Sequence, residues 1–144
     1  MIVKFTGVQK AIANLVKIDT LVEKALKIAT IQGGLWVEGS AKRNAPVDLG
    51  NLKGSIFTRV KGGGGTKPSF PNPTPELING AKSMEKEAQK VINKSRIPTA
   101  VVGVGANYGI FVEELHPSKG KFLARALKQN KDKIEKNYKS KLKK

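Results

Sequence analysis

Few side chains in this 144-residue sequence can attack, coordinate or shuttle protons. His116 is the only histidine and cysteine is absent. Histidine-pair and thiolate metal sites, thiol nucleophiles and disulfides are therefore excluded. A lone histidine beside Pro117 is expected in a solvated loop rather than as a general base. Glu113, Glu114 and Asp48 are the acidic residues nearest to patterned stretches. Paired carboxylates can do acid–base work or hold a hard cation, but nothing around these supplies a nucleophile, an orienting group or a cofactor loop. Asp48 is expected to cap a backbone corner, and Glu113 to pair with a basic residue. The run Gly62-Gly63-Gly64-Gly65 has no Gly-Lys-Ser/Thr after it and no strand–loop–helix context, so it is not a phosphate loop. No catalytic, metal or cofactor residue is assigned, and the chain is expected not to be an enzyme.

Positive charge is the chemistry the chain has in abundance. Its 27 lysines and arginines against 11 acids give a net charge of +16 and a pI near 10.2, which attracts polyanions, nucleic acid first among them. The excess gathers at the C-terminus, where Lys128, Lys131, Lys133, Lys136, Lys139, Lys141, Lys143 and Lys144 meet only Asp132 and Glu135. Lysine suits phosphate contact without base reading. Tyr138 is the only aromatic residue in that run, which argues against recognition by stacking on bases. Lys128, Lys131, Lys133, Lys136, Lys139 and Lys141 are the candidate polyanion contacts; the plainer alternative is a solvated face that keeps a small protein soluble.

The elements that would carry these residues follow from periodicity. Met1 to Phe5 alternates weakly and reads as a short strand or an ordered tail within a mainly helical stretch, 1–45. Val8, Ala11, Ile12, Leu15, Val16 and Ile18 recur at helical spacing, and Asp19 or Thr20 supplies an N-cap for a longer helix. On that helix Val22, Ala25, Leu26, Ala29, Gly33, Trp36, Val37 and Ala41 form an apolar stripe, with Lys24, Lys27, Glu38 and Lys42 largely away from it. Gly33-Gly34 costs about 1 kcal/mol per glycine relative to alanine, so the helix kinks there or another backbone approaches. Trp36 is expected as a core anchor, with a subunit interface as the alternative.

Pro46 stops this helix by pushing Ala45 out of the helical region, and Asp48 and Gly50 suit the turn that follows. Leu52 to Val60 reads as a strand with Leu52, Ile56, Thr58 and Val60 on one face. Glycine and Pro68, Pro71, Pro73 and Pro75 make 61–75 a flexible loop, or an arm that orders against a neighbouring subunit. Pro75 to Lys94 is a helix, and Thr99 to Gly105 a strand whose glycines imply a bulge or close backbone approach. Tyr108 to Leu115 continues the sheet or forms a helical turn; drawn as sheet, the second sheet region is 99–115. A basic helix and tail, 120–144, follow. The expected fold is one α+β domain: a long N-terminal helix on a small, mainly antiparallel sheet, with a second helix and a basic C-terminal helix. No apolar run approaches the roughly 18 residues of a membrane span, and no secretory signal pattern opens the chain.

Three ordered stretches resemble a known family. Ala45-Pro46-Val47-Asp48-x-Gly50-x-Leu52-x-x-Ser55-Ile56 comes first, followed by Tyr108-Gly109-x-x-Val112-Glu113. Pro117, with Phe122-Leu123-x-x-Ala126-Leu127, completes the set. Together they resemble the tail-completion proteins of tailed bacteriophages, which sit in the neck between capsid and tail; Gly109 stands where that family usually has alanine. The resemblance implies a structural virion protein acting in the neck, made in the host cytoplasm and assembled as a homomeric ring, hexameric in the usual neck symmetry. Its partners would be the head-side connector and the tail terminator; the charge adds an expected non-specific contact with genomic DNA, and the lack of an apolar span an expectation of no membrane partner. A small sequence-independent nucleic-acid-binding protein is the alternative. The family-motif positions are Pro46, Asp48, Gly50, Leu52, Ser55, Tyr108, Glu113, Pro117, Phe122, Leu123 and Ala126.

Overall fold

The computed structural model describes residues 1–6, 20–47, 50–118 and 120–143. The amphipathic stretch expected over 8–18, the Asp19 cap and the Asp48 corner cap lie outside them. The fold is α+β, built on a three-stranded antiparallel sheet. Strand β1 is Ile2–Thr6, β2 is Ile56–Val60 and β3 is Thr99–Val104. β3 lies in the middle, pairing Ile2 with Gly103 on one side and Ile56 with Val104 on the other. The first 45 residues are thus not helical throughout, since their opening strand forms one edge of the sheet.

Alternation along the strands sends the two faces to different cores. Ile56, Val60, Ala100, Val102 and Val104 are buried in the main core with the long helix α1, Thr20–Asn44. Phe57 and Val101 join Ala88 and Ile92 of helix α3, Pro75–Lys94, in a smaller second core. Gly103 accounts for the fit on that second face, because a β-carbon there would meet the Phe57 ring and Ile2 at 2.8 Å. Gly103 in β3 and Gly105 just after it, whose β-carbon would meet that of Ala81 at 2.9 Å, therefore serve close approach and not a bulge; the register runs unbroken. α3 begins where Thr74 accepts the Leu77 amide at 3.3 Å and Pro75 occupies the first turn.

α1 runs unbroken through Gly33-Gly34, both buried, and the Gly34 carbonyl accepts the Thr58 hydroxyl of β2 at 3.4 Å. Helix α5, Phe122–Leu142, packs along α1. Thr30 meets Tyr138, Gln32 meets Asn137, Ser40 meets Asn130 and Asn44 meets Gln129. That descending register is the mark of an antiparallel pair.

Two segments drawn as sheet are helical, the second of them in line with the helical turn that was its alternative. Residues 51–55 form the short helix α2 (Asn51–Ser55), so Leu52 precedes the strand although it is buried in the same core as Ile56. Gly50 enters it with φ +75°, and the Ser55 hydroxyl bonds back to the Leu52 carbonyl at 2.8 Å, competing with further helix. Residues 109–115 form helix α4 (Gly109–Leu115), which ends the sheet at Val104.

The glycine–proline stretch expected over 61–75 has no helix or strand as far as Thr74, Pro75 already opening α3, and it is tied to the body of its own chain. Thr66 donates its amide to the Thr58 carbonyl at 2.9 Å, and Lys27 reaches the Gly62 carbonyl at 2.7 Å. Asn51 exchanges two hydrogen bonds with the Asn72 backbone, at 2.8 and 3.0 Å, as a paired strand would. Phe70 packs on the main core.

Candidate functional site

The corner after α1 is built as its proline requires. α1 ends at Asn44, Ala45 donates to the Ala41 carbonyl at 2.8 Å, and Pro46 carries the chain out half-buried. From there Leu52 and Ser55 are buried, and so are Phe122, Leu123 and Ala126 at the start of α5. Leu52, Phe122, Leu123 and Ala126 share the main core, with Tyr108 packed against it. Residues spread over much of the sequence thus meet in one framework. Pro117 is exposed in the turn between α4 and α5.

Glu113 joins the second and third motif stretches, though not by the ion pair expected. Its side chain is buried, with one carboxylate oxygen accepting the Leu123 amide at 3.0 Å and the other the Ala124 amide at 3.1 Å. The residue at the helix entrance, Lys121, is in the left-handed conformation with φ 55° and offers no side-chain cap. Glu113 supplies that cap from ten residues upstream. A carboxylate facing the positive end of a helix also complements its dipole. No neighbouring subunit is needed to satisfy it.

Holding Glu113 inward fixes which side of α4 faces out. Gly109 is also buried, and a β-carbon there would lie 2.5 Å from Val104 Cγ1. Ile110, Phe111 and Leu115 consequently stand in solvent, Phe111 63% and Leu115 72% exposed. His116 follows as the C-cap, its amide directed to the Val112 carbonyl. A second exposed apolar set runs along α1. Leu21, Ile28 and Leu35 are seven residues apart, hence on one line two turns at a time, over about 21 Å. Sequence pattern alone did not reveal the α4 set; once 109–115 is read as helix, the four-residue spacing of Phe111 and Leu115 does.

The largest polar surprise is Glu38. Assigned by periodicity to the side away from the apolar stripe, it is 4% exposed. One carboxylate oxygen accepts the hydroxyls of Thr58 at 2.6 Å and Thr66 at 2.7 Å; the other pairs with Lys42 at 2.6 Å. The correction has a simple cause: α1 packs on the sheet and on α5 at once, so its buried arc is wider than one stripe. Glu38 sits where the glycine loop returns over β2. Three hydrogen-bonding groups satisfy the buried charge.

The basic helix separates its charges by face. Phe122, Leu123, Ala126, Asn130, Ile134 and Tyr138 are buried. Lys128, Lys131, Lys136 and Lys139 are exposed, joined by Lys143 of the same lysine run and by Lys121 and Arg125, which lie before it. Two candidates fall away from this surface. Lys133 lies 4.1 Å over the Trp36 ring, at the seam with α1, and Lys141 is half-buried. Trp36 is itself half-buried against the main core. Lys139 pairs with Glu135 at 2.8 Å, and that contact holds the Glu135 carboxyl below its ordinary range.

Among the described residues, no three His, Cys, Asp or Glu side chains come together to hold a metal ion, and no helix is long and apolar enough to cross a membrane. No protein family, curated protein or solved structure matches the chain.

Proposed function

We propose that this protein is a structural, non-enzymatic component of a tailed-phage neck, a tail-completion protein joining the tail to the head-side connector through a homomeric ring. The observation that carries this reading is the pair of separate exposed apolar surfaces: Ile110, Phe111 and Leu115 on α4, and Leu21, Ile28 and Leu35 on α1. A ring needs two different, complementary patches on each subunit, because its contacts are head-to-tail rather than self-matching. The motif stretches that resemble the neck family support the reading from the sequence. Tyr108, Glu113, Phe122 and Leu123 brace α4 against the body, which leaves its apolar side turned outward. The ring is proposed as hexameric, with the connector and the tail terminator as neighbours. Its place is the virion, reached through the host cytoplasm.

Light scattering on the purified chain at rising concentration tests the proposal. A closed assembly at a fixed multiple of 15.5 kDa is expected, returning to monomer in Phe111→Ser/Leu115→Ser. A monomer throughout, or an open series of ever larger species, would overturn the closed ring.

A further inference from the structure

We infer that the outward face of α5 docks along the sugar–phosphate backbone of duplex nucleic acid, without regard to base sequence. The inference does not depend on the neck reading, since it concerns a different surface. Lys121, Arg125, Lys128, Lys136, Lys139 and Lys143 are spaced three, four or eight residues apart and are exposed; such spacings keep them on one side of a helix. Lys131 is exposed at the border of that side. At about 1.5 Å per residue, the 21 residues of α5 extend roughly 31 Å. Phosphates on one strand rise about 3.4 Å apiece, so the strip matches about nine of them.

Three features choose the partner. No large apolar side chain on α5 is exposed, whereas protein interfaces concentrate aromatic and apolar anchors at their centres and deplete lysine. The apolar side of α5 is already committed to α1 and the main core. It is therefore not available to sink into a lipid headgroup layer, as membrane-surface helices do. The cations are six lysines and one arginine with no exposed aromatic ring among them, the composition of phosphate contact rather than of base stacking. Asp132 and Glu135 are the only acids on the helix, and Glu135 is engaged by Lys139. Local charge thus stays strongly positive.

The test is fluorescence anisotropy of the full chain with two unrelated 25-base-pair duplexes, titrated across salt concentration. Wild type is expected to bind both alike, with log K falling linearly against log salt. Neutralising Arg125, Lys128, Lys131 and Lys136 to glutamine should reduce that slope by about 3 to 4 and weaken binding at least tenfold near 0.1 M salt. Exchanging the three lysines for arginine should keep it. The control removes the same charge elsewhere, with Lys82, Lys86, Lys90 and Lys94 of α3 changed to glutamine, and should leave most of the affinity intact. Equal losses in the two glutamine variants would reduce the effect to net charge and overturn the assignment. So would absence of duplex binding, or tighter binding to phosphatidylserine vesicles than to DNA. Circular dichroism of each variant checks that α5 remains folded, and the mass measurement above reports on the ring independently.

Discussion

Glu113 Oε2 accepts the backbone amide of Leu123 at 3.0 Å, so the last residues of α4 cap the first turn of α5. Removing the carboxylate leaves the Leu123 and Ala124 amides without that partner, since Lys121 provides no cap of its own. Glu113→Ala should lower unfolding free energy by about 1–2 kcal/mol, the usual range for a lost N-cap. Glu113→Gln, which keeps one acceptor oxygen, should lose less. Urea denaturation of the two variants checks the order, and equal losses would count against capping.

Gly109 and Val104 are fitted to each other. A β-carbon at 109 would lie 2.5 Å from Val104 Cγ1, in a core where Val104 is fully buried. Gly109→Ala should therefore cost about 1–3 kcal/mol through overpacking, and Val104→Ala about as much through a cavity. Combined, they should lose at least about 1 kcal/mol less than their sum, because each relieves the other. Strict additivity in a double-mutant cycle would show that the two positions do not share this space.

Glu38 fastens the glycine loop through Thr66 and the sheet through Thr58. Glu38→Ala takes the common acceptor from two hydroxyls and should cost about 2–3 kcal/mol. Hydrogen exchange gives the sharper measurement: the Thr66 amide, which donates to the Thr58 carbonyl, should exchange faster in the variant, while amides of β1 paired to β3 change only by the global loss. Unchanged protection at Thr66 would detach the loop from this carboxylate.

Tyr138 gives the fold an alkaline dependence. Burial raises its hydroxyl above the ordinary value, with a smaller opposing effect from the bond to Thr30. The folded chain then holds this proton more tightly than the unfolded chain does. The associated stability is complete below about pH 10, the ordinary tyrosine value, and falls as pH rises through the folded value. Tyr138→Phe should lose about 1 kcal/mol at neutral pH, since Thr30 still donates to the Leu26 carbonyl at 2.8 Å. The variant should also decline less than wild type above pH 10. Parallel curves of denaturation midpoint against pH would remove Tyr138 as the source.

The helices were legible where one rule dominated. Pro46 set the end of α1, Pro75 the start of α3, and Phe122 with Leu123 and Ala126 the inward side of α5. Failures came where tertiary packing outweighed local pattern. Leu52 was read as strand because apolar residues continue evenly to Val60, and nothing local signals that Gly50 and Ser55 bound one helical turn. Residues 109–115 carry apolar side chains on both sides, so neither period stands out; the inward pull on Gly109 and Glu113 comes from Val104 and α5. Glu38 looked like surface because its three partners lie four, twenty and twenty-eight residues away.

The pairing of α1 with α5 bears on how the chain is made. Thr30 and Tyr138 are separated by 108 residues, and β3 reaches the sheet only after β1 and β2 have left the ribosome. The inward side of α1 must therefore wait, uncovered by its helical partner, until α5 is synthesised. Non-local contacts of this kind are slow to form and leave apolar surface open meanwhile. Until the α5 segment is available to pack, the inward side of α1 stays open to other apolar contacts.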